Sequence, residues 1–278
     1  MMQAPLPKSH VRVALIQITP DATIAANLQK IAALVAQAAT DGAELILLQE
    51  MFYYRGPHAP ADMQRVAESV PGPTSQFLAD LARQYRIWLH GGSLFEANPD
   101  APHHPYNCSL VFDPQGSCVG KYRKINLFAL QAVSGHPSVS ELDYQTPGDP
   151  EGITTVATPW GGLGLSICFD LRFPALYQYQ VRQQAARMLA VPSAFLFKTG
   201  ADHWEVLLRA RAIETQCYVL APNCLSQDFP ACYGRSMVVD PWGNVIARMP
   251  DREGYLIADL DFDLQAEVRA KLPVLGAE

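Results

Sequence analysis

The sequence predicts an α/β protein made of two similar halves. Runs of apolar, β-favouring residues alternate with stretches of helical hydrophobic spacing, which is the pattern of strands connected by packed helices. One pattern occurs twice, an apolar strand followed by Asp-Pro-x-Gly and a second strand, at 109–124 and at 236–247. Because no linker rich in Gly or Ser separates the halves, we predict one domain over 1–278, with a core over about 11–262 and a C-terminal segment over about 263–278.

The first half begins with a β-rich run over 11–18. A helix is predicted next from five apolar residues at helical spacing, and Gly42 ends it; these residues are Ile24, Leu28, Ile31, Leu34 and Val35. The remaining elements are a strand over 43–49, a helix over 74–85 with Thr74 as its cap, a strand over 86–93, and two strands over 109–124 joined by a Pro-Gly turn.

The second half continues the alternation of strands and helices. Its elements are a strand that ends at Cys168, a helix over 173–185, a strand over 188–192, a helix over 203–217, a strand over 218–223 and the two strands of 236–247. Both halves therefore close with the same pair of strands.

Composition favours a protein that acts on a small molecule. The 278 residues, 49% of them hydrophobic, supply a sizeable core. The formal net charge of -6 leaves no broad basic field, which disfavours nucleic acid and anionic membranes as partners. No apolar run approaches the ~18 residues of a membrane span, and Met1 to His10 lacks the apolar stretch of a signal peptide, so we expect a cytoplasmic protein.

The six cysteines point to the same compartment. They form no CxxC pair, so most are expected to be reduced and structural. A lone cysteine in an apolar stretch is more often inert core than nucleophile, and Cys118 and Cys217 take that interpretation.

Four chemically active residues stand where predicted strands end or in a polar loop. They are Glu50, Lys124, Cys168 and, in the loop, Glu141. A thiol at a strand-to-helix corner exposes its sulfur beside free backbone N–H groups, as a nucleophile requires. A carboxylate at the tip of an apolar strand is partly desolvated, which suits a general base, and a lysine offers charge for an oxyanion. Taken singly, each also fits a plain structural role.

Other catalytic motifs fit the same residues less well. Gly164-Leu165-Ser166-Ile167 begins like the Gly-x-Ser-x-Gly of serine hydrolases, but Cys168 replaces the second glycine. Gly162-Leu163-Gly164 resembles the opening of a dinucleotide loop, but the third glycine position holds Ile167. The histidines show neither HxxxH nor Cys–His ligand spacing, so no metal site is expected.

Three ordered motifs resemble those of the nitrilase superfamily of carbon–nitrogen hydrolases. They are Gln49-Glu50-Met51-Phe52, Lys124-Ile125-Asn126-Leu127-Phe128 and Cys168-Phe169-Asp170-Leu171-Arg172-Phe173-Pro174. Glu141, six residues before Pro147-Gly148, matches the second glutamate of the family. The resemblance covers Val11 to about Leu275. It implies a four-layer αββα sandwich, a homodimer that packs two sandwiches face to face, and no cofactor.

Within this superfamily the chain is most similar to the Nit branch. The stretches 192–195, 199–218 and 233–243 carry the similarity. The branch includes deaminated glutathione amidases and omega-amidases, and the run from His203 to Glu214 is closer to the former. The resemblance implies hydrolysis of a small carboxylate-bearing amide to an acid and ammonia through a cysteine thioester. An omega-amidase, another amidase or nitrilase, and a catalytically silent metabolite-binding or interaction protein are the alternatives.

The resemblance also implies the role of each catalytic residue. Glu50 acts as general base and acid, and Cys168 is the nucleophile. Lys124 and the backbone N–H of Phe169 hold the oxyanion, while Glu141 positions Lys124 and keeps it charged.

Substrate contacts are expected beyond the catalytic group. Arg172 matches a position where related N-carbamoyl amino acid hydrolases bind a substrate carboxylate, and its guanidinium suits that task. The alternative for Arg172 is a structural ion pair, with Asp170 or another carboxylate. Phe195 and Thr199 are further pocket candidates, although an aromatic residue such as Phe195 is more often plain core.

Some positions depart from the family pattern. Gln49, Asn126 and Phe169 stand where members usually carry Pro, His and Tyr. None of these changes removes a reacting group, and Phe169 can still offer its backbone N–H. The stretch 129–140 is also unusual for the Nit branch, and we expect it to affect substrate choice.

Overall fold

The computed structural model describes residues 8–131, 139–228 and 230–276. The strands are β1 His10–Gln17, β2 Leu45–Leu47, β3 Trp88–His90, β4 Leu94–Glu96, β5 Tyr106–Phe112, β6 Cys118–Arg123, β7 Ala129–Leu130, β8 Val139–Ser140, β9 Thr155–Thr158, β10 Gly161–Leu165, β11 Ala186–Ala190, β12 Tyr218–Ala221, β13 Leu225–Ser226, β14 Cys232–Tyr233, β15 Met237–Val239, β16 Val245–Arg248 and β17 Gly254–Asp261. The α-helices are α1 Ile24–Thr40, α2 Pro60–Val66, α3 Pro73–Tyr85, α4 Pro174–Gln184, α5 Phe197–Thr215 and α6 Phe262–Lys271. Glu141–Asp143 and Cys168–Arg172 form short 3₁₀ helices.

Two large sheets repeat one topology. In the first sheet β1, β2 and β3 are parallel, and β5 and β6 follow as antiparallel neighbours. In the second sheet β10, β11 and β12 are parallel, and β15 and β16 follow in the same antiparallel way. The predicted two similar halves are therefore confirmed. The chain finally returns to the first sheet, because β17 pairs with β1 along its whole length.

Alternating burial along β1 shows the four layers. Val13 and Leu15 pack in the cluster that also contains Leu163 and Met188 of the second sheet. Ala14 and its neighbours on the opposite face pack in a separate cluster with helices α1 and α3. Since strand side chains alternate between faces, β1 serves both cores. Helices α4 and α5 cover the outer face of the second sheet, so the order is helix, sheet, sheet, helix, as predicted.

The repeated Asp-Pro-x-Gly turns have the same local structure. The carboxylate of Asp113 accepts hydrogen bonds from the N–H groups of Gln115 and Ser117, at 2.9 and 2.8 Å. That of Asp240 accepts from the N–H groups of Trp242 and Asn244, both at 2.9 Å. Aspartate fits this position because a short carboxylate can bond the backbone two residues ahead.

Several predicted elements differ in detail. Helix α5 begins at Phe197, six residues before the predicted start at His203. The predicted Thr74 cap is wrong, because Gly72 precedes α3 and the carboxylate of Glu68 accepts from the Thr74 N–H at 2.9 Å. Cys118 was expected in the core but is exposed, whereas Cys217 is buried as expected. In the described part of the chain no helix is long and apolar enough to cross a membrane.

Candidate active site

A cavity of about 610 Å³ opens at the end of both sheets. Seven of the residues selected from the sequence line it: Glu50, Glu141, Cys168, Phe169, Arg172, Phe195 and Thr199. Lys124 lies beneath its floor, fully buried. Residues that are far apart in the chain are thus brought together, with Glu50 and Lys124 at the ends of first-sheet strands and Cys168 beyond a second-sheet strand.

Glu50 is held by three hydrogen bonds. Its Oε1 accepts from Lys124 Nζ and from Asn107 Nδ2, both at 2.9 Å. Its Oε2 accepts from the backbone N–H of Ala194 at 2.7 Å. Only 3% of Glu50 is exposed to solvent, so these donors replace the water that an ionised carboxylate would otherwise bind.

Lys124 lies between two carboxylates. Its Nζ is 2.9 Å from Glu50 Oε1 and 2.8 Å from Glu141 Oε2. Burial would lower the pKa of Lys124, but the charges of Glu141 and Glu50 outweigh burial and raise the pKa well above its usual value. The lysine therefore stays protonated between the two carboxyl groups.

Glu141 connects this group to the loop after Lys124. Its Oε2 accepts from the backbone N–H of Phe128 at 2.6 Å, while both carboxylate oxygens approach Lys124 Nζ. Burial raises the pKa of Glu141 despite the neighbouring lysine. Glu141 is thus a second carboxyl partner of Lys124 beside Glu50.

Cys168 opens the 3₁₀ helix that follows β10. The strand predicted to end at Cys168 ends three residues earlier, at Leu165, and Cys168 has a positive φ of 49°. This conformation is uncommon for a residue with a side chain, and such strain occurs often at functional sites. The sequence led us to expect an exposed sulfur, but only 7% of Cys168 is exposed, and that part faces the cavity.

The thiol of Cys168 is protonated in the resting state. Burial and the negative charge of Glu50 raise its pKa well above the usual value, although Lys124 opposes them. The Ala194 N–H, which donates to Glu50 Oε2, also opposes the rise in the pKa of Cys168. Glu50 and Cys168 line the same cavity.

The backbone around Cys168 leaves one amide available. The N–H of Cys168 donates to Pro192 O at 2.9 Å, and that of Asp170 donates to Ile167 O at 3.1 Å. The intervening N–H of Phe169 has no acceptor within the described residues, as is usual in the first turn of a helix. It is the donor that an incoming carbonyl oxygen can use.

A buried carboxylate joins the nucleophile to the lysine loop. Asp170 accepts from Tyr122 OH at 2.7 Å and from the Ile167 N–H at 2.9 Å. It also accepts from the backbone N–H and the side-chain Nδ2 of Asn126, both at 2.9 Å. Asn126, one of the departures from the family pattern, therefore keeps this connection. Asp170 fixes the turn at Cys168 against the segment that follows Lys124.

The position of Arg172 rules out one of its two expected roles. Asp170 is fully buried and satisfied by other donors, so the predicted ion pair between Asp170 and Arg172 is absent from the described structure. Arg172 instead lies over the rings of Phe169 and Phe195, 5.7 and 5.3 Å from their centroids, and contacts His203 Nδ1 at 3.3 Å. Its charge faces the cavity without a carboxylate partner among the described residues.

Phe195 and Thr199 contribute differently to the cavity wall. Phe195 is buried against Trp204, with ring centroids 4.8 Å apart, and is both core and wall. The Thr199 hydroxyl donates to Leu196 O at 3.3 Å within the start of α5. The Thr199 hydroxyl is thus already engaged at the start of its own helix.

Three residues of the site were missed from the sequence. Asn107 supports Glu50, and its only signal was a polar amide inside an apolar strand. Ala194 acts through its backbone N–H, which no side chain could reveal. Arg55 lines the cavity, and its guanidinium contacts the sulfur of Cys232 and the carbonyl of Pro230. Its only signal was a cation five residues after the glutamate.

The remaining departures and the histidines have less bearing on the cavity. Gln49 bonds both backbone groups of Ile18, at 2.7 and 3.0 Å, and so has a structural role. Of the unusual stretch 129–140, the ends pair as β7 and β8, and 132–138 lies outside the described residues. His10, Asp261 and Asp263 are close enough together to hold a metal ion, but they do not line the cavity.

The fold and this cluster define a class of protein. The family model of carbon–nitrogen hydrolases matches residues 12–270, and the chain belongs to that family. It is therefore a hydrolase of carbon–nitrogen bonds other than peptide bonds.

Individual relatives narrow the class to amidases. The chain is 39% identical over 266 residues to the deaminated glutathione amidase of Bos taurus, which covers 94% of this chain and 80% of that protein. It is 37% identical over 269 residues to the omega-amidase NIT2 of Mus musculus, covering 96% and 94%. The crystal structure of Saccharomyces cerevisiae Nit3, a member of branch 10 of the nitrilase superfamily, superposes with a TM-score of 0.84 at 30% identity and covers 97% of each chain.

Proposed function

We propose that this protein is a cysteine amidase whose substrate is deaminated glutathione. The observation that carries the proposal is the cavity itself. A buried Glu50–Lys124–Glu141 group lies beside the thiol of Cys168, and two arginines that lack carboxylate partners within the described chain line the same cavity. The first feature supports acyl transfer, and the second supports an anionic substrate.

The reaction begins with proton transfer from Cys168 to Glu50. Because burial and Glu50 raise the pKa of the thiol, the thiolate forms as the sulfur attacks the amide carbonyl. The sulfur then attacks the carbonyl carbon. Lys124 Nζ and the Phe169 N–H stabilise the negative charge that develops on the oxygen, and each such donor is typically worth about 2.7–4 kcal/mol of barrier.

The second half of the reaction reverses these roles. Glu50 gives its proton to the departing nitrogen, which leaves as the amine that the amide carried. Glu50 then takes a proton from water, the hydroxide attacks the thioester, the carboxylic acid is released, and Glu50 returns the proton to the departing Cys168 sulfur. Glu141 holds Lys124 protonated and in place through both steps, since its Oε2 lies 2.8 Å from Nζ.

The two arginines favour deaminated glutathione over an omega-amide. Deaminated glutathione has a carboxylate on each side of its γ-amide, and its leaving amine is cysteinylglycine rather than the ammonia expected from the sequence. α-Ketoglutaramate has a carboxylate on the acyl side alone and releases ammonia. We assign Arg172 to the acyl-side carboxylate and Arg55 to the amine-side carboxylate, because a guanidinium binds a carboxylate through paired hydrogen bonds.

A comparison of two substrates tests this assignment. We expect kcat/KM for deaminated glutathione, measured by release of cysteinylglycine, to exceed that for α-ketoglutaramate, measured by release of ammonia. Arg55→Gln should lower kcat/KM roughly tenfold or more for deaminated glutathione only, since a hydrogen bond to a charged group is worth about 1.5–3 kcal/mol. Equal values for the two substrates, together with equal effects of the variant, would favour the omega-amidase. Binding of either compound without turnover would favour a silent metabolite-binding protein.

We also propose that the protein is a cytoplasmic homodimer with one domain over 1–278. All six cysteines are free thiols, which suits a reducing compartment. Helix α5 and the turn near it expose Val206, Ile213 and Trp242, with 68, 45 and 56% of each residue exposed. Such apolar side chains on one region support a self-association surface. Val206→Glu should then yield a monomer in sedimentation analysis, and a wild-type protein that sediments as a monomer would contradict the dimer.

A further inference from the structure

Two thiols outside the proposed reaction share one arginine. Arg55 Nη1 donates to Cys232 Sγ at 3.1 Å and lies 3.8 Å from Cys224 Sγ. Both cysteines are buried, with 1% of each exposed; Cys224 directly precedes β13 and Cys232 lies in β14. One permanent positive charge therefore contacts both sulfurs.

The register of the hairpin formed by β13 and β14 places both sulfurs on one face. Leu225 pairs with Tyr233 and Ser226 with Cys232, and the Gly234 N–H donates to Cys224 O at 2.9 Å. Cys224 and Cys232 are therefore diagonal neighbours across an antiparallel pair, a relation with a separation of about 7–8 Å between backbone positions. A disulfide needs Cα atoms about 4.4–6.8 Å apart, so bond formation would draw the two strands together by roughly an ångström.

Cys232 has the features of a reactive thiol. The neighbouring Cys224 thiol lowers its pKa, and the charge of Arg55 adds to this effect against burial. Cys232 also lines a second cavity of about 270 Å³, which is separate from Cys168. That cavity is the side from which a peroxide would approach Cys232, of which 1% is exposed.

The hairpin is bonded to the wall of the candidate active site. Cys232 Sγ donates to Ala194 O at 3.6 Å, and the Tyr233 N–H donates to Phe195 O at 2.9 Å. The Ala194 N–H in turn donates to Glu50 Oε2 at 2.7 Å. A displacement of β14 therefore reaches the segment that both supports Glu50 and forms the cavity wall.

We propose that Cys224 and Cys232 form a reversible disulfide under oxidation by a peroxide, and that this bond weakens substrate binding. The sulfur of Cys232 attacks one peroxide oxygen, the O–O bond breaks, and sulfenic acid and one water are formed. The sulfur of Cys224 then displaces the sulfenic oxygen as a second water. Two thiols lose two hydrogens and two electrons, and hydrogen peroxide becomes two waters. The effect on substrate binding rests on the proposed amidase function, whereas the bond itself does not.

Peptide mapping after treatment with hydrogen peroxide tests the bond. Trypsin leaves 212–235 intact with three cysteines, so a second protease that cuts between 224 and 232 is needed. We expect a linked pair of peptides that dithiothreitol separates. Cys224→Ser should abolish the link and Cys217→Ser should retain it. Free thiols at both positions after treatment, or a link that survives in Cys224→Ser, would overturn the proposal.

Steady-state kinetics on the same samples test the consequence. Oxidation of Cys168 removes whole active sites and lowers kcat at constant KM, whereas a displaced cavity wall raises KM. We expect KM for deaminated glutathione to rise about tenfold in the oxidised wild type and to recover with dithiothreitol, and Cys224→Ser to show no rise; tenfold corresponds to about 1.4 kcal/mol of binding. A mapped disulfide with unchanged KM would overturn the regulatory role. Absence of turnover in reduced protein would instead refute the amidase function and leave the mapping result valid.

Discussion

Replacement of Lys124 by methionine should separate the stability of the candidate site from its chemistry. The substitution keeps most of the volume and removes one charge. In the wild type, Nζ lies 2.9 Å from Glu50 Oε1 and 2.8 Å from Glu141 Oε2, in a fully buried position. Without the lysine, two carboxylates face each other in a medium of low polarity. Loss of one partner from a buried ion pair typically costs about 3–5 kcal/mol, and we expect a decrease of that size in the free energy of unfolding.

The same substitution should also have a chemical consequence. If Lys124 holds the oxyanion, Lys124→Met should lower kcat by about 10²–10³, the usual effect of one lost donor. A second substitution, Glu141→Gln, removes one of the two carboxylates that have lost Lys124 as a partner. The double variant Lys124→Met/Glu141→Gln should regain about 1–3 kcal/mol of stability without regaining activity.

Two measurements decide between these effects. Urea unfolding gives the free energy of unfolding for each variant, and initial rates at saturating amide give kcat. Lys198→Met is a matched control, because the side chain of Lys198 is 86% exposed. A Lys124→Met protein that folds and keeps kcat within a few-fold of wild type would refute the oxyanion role. A double variant that recovers both stability and rate would show that the lysine acts only by neutralising charge.

Four further predictions concern other parts of the molecule. Cys168→Ala should fold normally and release no amine, and retained turnover would contradict a covalent intermediate. Arg172→Lys should raise KM for carboxylate-bearing amides but not for neutral ones; an equal loss on both would contradict the anchor. Asp170→Asn should lower stability by about 1–3 kcal/mol and slow alkylation of Cys168, because Asp170 Oδ1 and Oδ2 accept from Asn126, Tyr122 and Ile167; unchanged alkylation would contradict a positioning role. Burial lowers the pKa of His90 to about 4 from 6.5, so the unfolded chain takes up a proton first as pH falls. Stability should therefore drop by about 2 kcal/mol between pH 7 and pH 5, and His90→Gln should remove that part of the slope in urea unfolding at each pH.

The fold was predictable because its pattern is local. The spacing of apolar residues identifies buried strands and amphipathic helices. The Asp-Pro-x-Gly sequence repeats because the same turn conformation occurs at Asp113 and at Asp240. The start of α5 was not predictable, since 197–202 lacks the apolar spacing of the rest of the helix. The hydrogen-bond acceptor at the N-terminus of α3 was also not predicted, because Glu68 lies six residues before Thr74, from whose N–H it accepts a hydrogen bond.

The candidate site was predictable only where side chains at strand ends carry the chemistry. Glu50, Lys124 and Cys168 stand where predicted strands end, and the ends of neighbouring strands meet in space. Ala194 was beyond reach, because its contribution is a backbone N–H that any residue would supply. Arg55 was missed because its position beside Cys232 depends on a contact between residues 177 apart in the chain.

The division of the site between the two sheets has a practical meaning. Glu50 and Lys124 belong to one half of the repeat, and Cys168 with Ala194 belongs to the other. Neither half alone holds Glu50, Lys124 and Cys168 together. The rate of amide hydrolysis therefore depends on how the two halves pack against each other. A mild perturbation that loosens the packing between the two sheets should abolish amide hydrolysis while the circular dichroism spectrum stays native. Loss of activity would then be the first sign that the two halves have separated.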